Sequence, residues 1–320
     1  MGSESALICG SNQVDADLTA LEISGIWSSD FSEPKIPGKL FFLVKFDWAE
    51  TFLFKDLMRK FSALLLAAGR GERLRPLTDA WPKCLMPISG TPLLEYWLGM
   101  IHDERILDVY VNTHYLADIV NEFLDRPRFK SWVTRLYEPQ LRGTAGSLIS
   151  NYPILKGKTV LLIHADNWCP CNLRDFIEFH LYRRPKSCPV TMMTFETDSP
   201  AECGVVQLGR DGVVQSFYEK VENAPSNLAN GAVYILEPEV LDFLASEADV
   251  EDFSVEVIPH FLGRIATWKN NGIHRDIGSV NNLRQAQFDE VISTPWPSKD
   301  AWQICFESHP VHRALGVLSD

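Results

Sequence analysis

No part of this 320-residue chain stays apolar for long. The longest runs, Ala63–Ala68 and Thr159–Ile163, fall far short of the roughly 18 residues that a membrane-spanning helix needs, so no membrane partner is expected. A basic block is missing too. Thirty Lys and Arg stand against 42 Asp and Glu, a formal net charge of −12, which argues against a nucleic-acid partner. The seven cysteines include no C-x-x-C pair, and Cys169-Pro170-Cys171 is the one close pair. That spacing supports neither a zinc site nor a disulfide framework; reduced thiols and a cytoplasmic location are the expectation. The opening Met1-Gly2-Ser3-Glu4 lacks the basic start of a signal peptide, and Ala6 breaks the myristoylation pattern. Repeats and low-complexity tracts are absent.

What is present is an ordinary globular composition, 46% hydrophobic and 22% charged, which excludes disorder as the main state. Three zones differ in pattern. Residues 1–60 read as a weakly structured extension; up to position 57 they carry nine acidic and four basic side chains and show no period. Met58-Arg59-Lys60 leads directly into a buried-strand pattern, as a translation start would. Residues 61–290 alternate apolar runs with amphipathic stretches. Strands are expected at Ser62–Ala67, Leu107–Asn112, Thr134–Tyr137 and Thr159–His164, and helices at Leu93–His102, Leu116–Leu124, from Ala145, and at Leu173–Tyr182. This alternation predicts an α/β, Rossmann-like fold with a mixed, mostly parallel sheet, whose ligands sit beyond the carboxyl ends of the strands. From Val190 short strands follow one another, with Asp211-Gly212 as a hairpin turn, forming a smaller lobe. Helices are expected again at Pro238–Ala245 and near Phe253–Leu262. Residues 291–320, with Pro295, Pro297 and Pro310, read as a tail.

The chemistry is concentrated in Leu66-Ala67-Ala68-Gly69-Arg70-Gly71-Glu72-Arg73-Leu74-Arg75-Pro76-Leu77-Thr78, followed by Pro82-Lys83. The segment leaves a strand directly. Gly69 and Gly71 allow a tight turn that can present N–H groups to an anion, and Arg73 and Arg75 add cationic forks suited to phosphate. Two glycines are too few for a Walker loop or a G-x-G-x-x-G turn.

This segment resembles the opening loop of the sugar-1-phosphate nucleotidyltransferases, and most closely the mannose-1-phosphate and heptose-1-phosphate guanylyltransferases. The resemblance continues through Gly143-Thr144-Ala145-Gly146, Asp166-Asn167, Glu219-Lys220, Asn230-Gly231 and Asp276-Ile277-Gly278, and covers about residues 61–290. It implies the nucleotide-diphospho-sugar transferase fold with a small sugar-binding lobe. It also implies a role for each matching position. Leu66, Ala67, Ala68, Gly69, Gly71, Gly143 and Thr144 would wrap the nucleotide. Arg73, Lys83 and Asp166 would act at the reacting phosphates. Asp166 and Asp276 would hold Mg²⁺, and Gly204, Glu219, Lys220 and Asn230 would bind the sugar phosphate. Two anionic reactants call for cations and a metal more than for a general base, because the attacking phosphate is already ionised.

Several of these residues have a plainer reading when taken singly. Asp166-Asn167 suits a helix cap, Asp276 a turn, and Lys220 a solvated surface. His164, two residues before Asp166, fits a packing role, and His274 fits the protein surface or the substrate edge. Glu138 sits five residues before Gly143. A carboxylate only accepts hydrogen bonds, and guanine offers two donors on one edge, so Glu138 favours GTP; otherwise it supports the loop. The alternatives are a non-catalytic, nucleotide-sugar-binding homologue, or a transferase of this fold using UTP, dTTP or CTP. The resemblance is compatible with a homo-oligomer.

Overall fold

The strand Phe61–Leu66 (β1) is buried along nearly its whole length, as its unbroken apolar run requires of a central parallel strand. In the computed structural model, which describes Met58 and residues 60–317 apart from 248 and 297, β1 pairs in parallel with two neighbours. These are Asp108–Thr113 (β4) on one side and Thr159–His164 (β6) on the other; Val133–Tyr137 (β5) extends the parallel set beyond β4. The hairpin Pro87–Ile88 (β2) and Thr91–Pro92 (β3) lies between β1 and β4 in sequence. Beyond β6 the sheet changes direction. Leu228–Leu236 (β11) runs antiparallel to β6 and to Val190–Glu196 (β8), and Gly204–Leu208 (β9) pairs with Val214–Glu219 (β10) as the expected hairpin. Ile265–Lys269 (β12) lies parallel to β8. The result is a nine-stranded mixed sheet with the order β10-β9-β11-β6-β1-β4-β5 along its main path.

Alternate residues of the central strands feed two cores. Ala63, Leu65, Leu161 and Ile163 point to one, and Leu64, Val160 and Leu162 to the other. The short helix Leu77–Ala80 (α1) follows the Gly-rich loop. Leu93–Asp103 (α2) and Ala117–Leu124 (α3) supply Leu94, Trp97, Val120 and Phe123 to the first core. Gly143–Ser150 (α4) supplies Leu148 to the second, above the single turn Tyr152–Leu155 (α5). The helix Leu173–Glu178 (α6) is capped by Asn172, whose side chain accepts from the Asp175 amide at 3.0 Å. It continues as a wider turn over Phe179–Arg183. Pro238–Ser246 (α7) covers the second core. The expected helix near 253–262 is instead a wide turn at Phe253–Val257 followed by a tight one at Ile258–Phe261, because Pro259 has no N–H to continue an α-helix.

Two strands of two residues each, Asn167–Trp168 (β7) and Arg275–Asp276 (β13), pair antiparallel, and Val280–Ala286 (α8) follows, capped by Ser279. The stretch after 290 is a correction. It is not a tail: Ala301–Glu307 (α9) and Pro310–Val317 (α10) dock on the first core, burying Phe306, Val311 and Leu315. Asp300 caps α9 by accepting from the Gln303 amide at 2.9 Å, and it also accepts from Arg126 at 2.8 Å. Arg126 in turn donates to the buried Glu95 on α2 at 2.6 Å. Phe306 stacks on Trp81, with ring centroids 5.4 Å apart. Pro310, one of the prolines that suggested a tail, opens α10. Of residues 1–60, expected as a weakly structured extension, 1–57 and 59 lie outside the described residues, while Met58 is buried in the first core. No helix among the described residues is long and apolar enough to cross a membrane. The cysteines described are all free thiols.

Candidate active site

The site forms at the carboxyl ends of β1, β4 and β6, where parallel strands expose unpaired backbone groups to one side. The loop leaving β1 is held from below. The Asn112 side-chain oxygen at the end of β4 accepts from the amides of Ala67 at 2.6 Å and Ala68 at 3.2 Å. Gly71 takes a left-handed turn with φ +62°, and an added Cβ there would lie 2.9 Å from Thr78 and 3.1 Å from Lys83, so the motif needs glycine for fold as well as for approach. Gly69 has open space around it. The Thr78 hydroxyl donates to the Gly71 carbonyl at 2.8 Å and closes the loop.

Beneath the loop lies a cleft of about 190 Å³. The loop residues Leu66, Ala67, Ala68 and Gly69 form one wall, and Leu141, Gly143, Thr144 and Ser147 form another; Lys83, Cys84, Asn112, His164 and Asp166 complete it. Burial pushes the Cys84 thiol up to about 12, with Asp166 adding to the effect, so it stays protonated.

Asp166 and Asp276 are far apart in sequence, and the β7–β13 ladder brings them together. Asp276 lies opposite Asn167, the neighbour of Asp166. The Trp97 indole fixes this ladder by donating to the Asn167 carbonyl at 2.8 Å. Lys83 Nζ bridges the two carboxylates, 2.7 Å from Asp166 Oδ2 and 2.8 Å from Asp276 Oδ1. Arg73 Nη2 reaches Asp276 Oδ2 at 2.8 Å. Burial alone lowers the Lys83 pKa, and the two carboxylates outweigh it, so the net shift is upward. Burial alone raises the Asp276 pKa, and Lys83 and Arg73 outweigh it, so the net shift is downward. Lys83 and Asp276 are thereby both held charged. Neither Asp166 nor Asn167 caps a helix, since Asn172 caps α6.

The expected nucleotide-binding residues separate in the structure. Leu66, Ala67, Ala68, Gly69, Gly143 and Thr144 line the cleft, while Gly71 shapes the turn behind it. Gly143 has φ +75°, and a side chain there would overlap the Glu251 backbone. The Ala145 amide at the start of α4 donates to the Glu251 carbonyl at 2.8 Å, and the Phe253 amide donates to the Thr144 hydroxyl at 2.7 Å. Glu138 requires a correction. Its Oε1 accepts from Ser147 Oγ at 2.6 Å and Asn112 Nδ2 at 3.1 Å, while Oε2 is buried without a partner. Glu138 does not line the cleft, and with Oε1 committed it cannot offer two free oxygens to a guanine edge. It braces Asn112, and through Asn112 the loop.

Gly204, Glu219, Lys220 and Asn230 gather on the β9–β10–β11 lobe, outside the cleft. Gly204 lies opposite Glu219, and an added Cβ would sit 2.6 Å from Glu219 Oε2. Lys220 is 65% exposed and pairs with its own neighbour Glu219 at 3.1 Å. Asn230 donates to the Tyr234 hydroxyl at 2.6 Å. His274 is half-buried. It stacks on Phe195 with ring centroids 4.0 Å apart, and its Nε2 bonds the Gly231 carbonyl at 2.8 Å; burial pushes its pKa down to about 4. His164 combines packing with the cleft: it lines the cavity, faces the Tyr234 ring, and is pushed down in pKa by burial. Asn112 and Ser147 escape a motif reading. Their signal was a polar residue at the end of an apolar strand and another on the buried side of α4.

The nucleotidyl transferase family profile matches residues 62–291. The chain belongs to this family. It is 27% identical over 234 residues to a mannose-1-phosphate guanylyltransferase of Mycobacterium tuberculosis, covering 72% of this chain and 64% of that one. It is 30% identical over 200 residues to a UTP–glucose-1-phosphate uridylyltransferase of Synechocystis, covering 58% and 51%. The match thus spans less than two thirds of the length of these relatives. The crystal structure of HddC from Yersinia pseudotuberculosis superposes with a TM-score of 0.61 at 23% identity, covering 71% of this chain and 98% of that one. Nucleotidyl transferase and solved structure share the fold, the nucleotide-diphospho-sugar transferase fold expected from sequence.

Proposed function

We propose that this nucleotidyl transferase moves a nucleoside monophosphate from an NTP to a sugar-1-phosphate and releases pyrophosphate. The observation that carries the reading is Lys83 held between Asp166 and Asp276 at the cleft beneath the β1 loop. An oxygen of the sugar phosphate attacks the α-phosphorus, and the bond from that phosphorus to the bridging oxygen breaks. The electron pair leaves with pyrophosphate. The nucleophile is already ionised, so no proton has to be removed. The barrier is anion–anion repulsion, and Lys83 and Arg73 lower it by neutralising phosphate charge. The loop backbone from Ala67 to Gly69, fixed by Asn112, orients the nucleotide. Lys220 and Glu219 on the lobe take the sugar phosphate and a sugar hydroxyl.

Two convergent carboxylates fit Mg²⁺, which binds through one or two carboxylates plus phosphate oxygens and waters. Among the described residues no group of three or more His, Cys, Asp or Glu gathers as a closed metal cage. Asp166 and Asp276 would hold the ion, which when bound supplies further neutralisation of phosphate charge.

GTP is our proposed donor and mannose- or heptose-1-phosphate our proposed acceptor. GTP and mannose-1-phosphate are supported by relatives such as the mycobacterial guanylyltransferase, and heptose-1-phosphate by the motif resemblance alone. The test is pyrophosphate release with Mg²⁺ across four NTPs and a panel of sugar-1-phosphates. The largest signal is expected with GTP and mannose- or heptose-1-phosphate, and Asp166→Asn should remove nearly all of it. A dominant UTP, dTTP or CTP signal would replace the donor and keep the reaction. Silence across the panel with nucleotide sugar still bound would overturn the catalytic reading.

A further inference from the structure

We infer that Lys83 is the resident counter-ion of the Asp166–Asp276 pair, so that the pair takes no divalent cation by itself and the cation enters only together with a nucleotide. This rests on the reading of the pair as the Mg²⁺ site.

The charge arrangement is already closed. Nζ of Lys83 lies within 2.8 Å of both carboxylates, where a bridging cation would neutralise them. Arg73 occupies the other oxygen of Asp276, and the Gly278 amide donates to Asp276 Oδ1 at 2.8 Å. Two negative side chains therefore meet two positive ones. Lys83 is only 7% exposed, so it cannot turn to water when its partners are taken.

A divalent ion arriving alone would strip the carboxylates from a buried ammonium and leave that charge unpaired beside a second cation. Both consequences are unfavourable. A nucleotide changes the balance, because its phosphates offer Lys83 and Arg73 new anionic partners and release the carboxylates to the ion. Lys83 thus has two tasks. Without substrate it holds two carboxylates together that would otherwise repel, and with substrate it moves to phosphate.

The test uses the full chain and Mn²⁺, a spin-active substitute for Mg²⁺, read by electron paramagnetic resonance and by thermal unfolding with no substrate present. Wild type should bind no stoichiometric Mn²⁺ below about 1 mM, and its Tm should not respond. Lys83→Met should unfold about 5 °C lower, bind one Mn²⁺ at least about tenfold more tightly than wild type, and regain Tm on adding it. Micromolar binding of Mn²⁺ by wild type alone, or no tightening in Lys83→Met, would overturn the inference. Should Lys83→Met fail to fold, wild type decides through Mn²⁺ binding with and without a non-hydrolysable GTP analogue. Binding only with the analogue supports the counter-ion, and equal binding in both refutes it. An analogue that never binds counts against the proposed substrate, and micromolar Mn²⁺ binding by substrate-free wild type still overturns the counter-ion.

Discussion

The phosphate end of the site and the β9–β10 hairpin hold their lysines in opposite ways. Lys83 is buried, with two carboxylates within 2.8 Å, each placed by a distant segment. Lys220 is mostly exposed, and its ion pair is with the adjacent residue of its own turn. The first lysine is fixed by carboxylates from two distant segments, whereas the second pairs with its neighbour in sequence. The difference matches the task. In the proposed reaction, charges at the phosphates must be placed before reaction to lower its barrier, whereas recognition of a sugar tolerates adjustment on binding.

The strongest way to break this comparison is to remove each lysine. Lys83→Met should lower kcat for pyrophosphate release by about 10²–10³-fold and lower Tm as well. Lys220→Met should lower kcat/KM for the sugar phosphate by about tenfold, with the KM for NTP and the Tm both unchanged. A Tm loss in Lys220→Met comparable to that in Lys83→Met would erase the distinction. Next in size is a pair of glycines. Gly143→Ala forces a side chain into the Glu251 backbone at a positive φ and should cost about 2 kcal/mol of stability, measured by chemical denaturation. Gly69→Ala meets open space, so stability should hold within about 0.5 kcal/mol while the KM for NTP rises. An unchanged KM there would remove Gly69 from the nucleotide site.

The smallest effect tests a group away from both ends. His180 is fully buried, its ring nitrogens 2.8 Å from Thr191 Oγ1 and 3.0 Å from Glu237. Burial pulls its pKa below the ordinary 6.5. The unfolded chain therefore takes up a proton first as pH falls, so the stability contributed by neutral His180 is present above about 6.5 and is lost below it. Thermal unfolding of wild type and His180→Gln from pH 8 to 5 should show a shallower decline in the variant.

The sequence made the phosphate end legible because its chemistry depends on residue types at fixed local spacings. Two glycines, Arg73 and Lys83 lie within one short segment, and a nucleotide-binding turn needs that order. The strands Thr159–His164 and Gly204–Leu208 were equally plain, since apolar runs and a hairpin turn are local signals. What the sequence hid was long-range. That Asp276 meets Asp166 was implied by the family resemblance and not by local pattern, since the ladder that joins them has two residues per strand, too short to leave a period. Asn112 is one polar residue on a buried strand, and only the fold shows that its carboxamide faces two loop amides. Glu138 looked like a ligand because a carboxylate near Gly143 suits guanine, yet packing beside Asn112 and Ser147 assigned one oxygen to the scaffold. The C-terminal stretch misled through its prolines, which break regular structure locally but also open helices.

The docking of residues 300–317 also bears on how the chain is made. Synthesis runs from the amino end, and domains fold as their parts become available. Trp81 lies two residues before Lys83, and its stacking partner Phe306 is among the last residues described. Arg126 is buried on a carboxylate from α2 and on Asp300. Until residues 300–317 emerge from the ribosome, the nascent domain lacks the ring that stacks on the Trp81 indole and the Asp300 carboxylate that pairs with Arg126. The first core is therefore closed only once residues 300–317 have been made, after every residue that lines the β1-loop cleft.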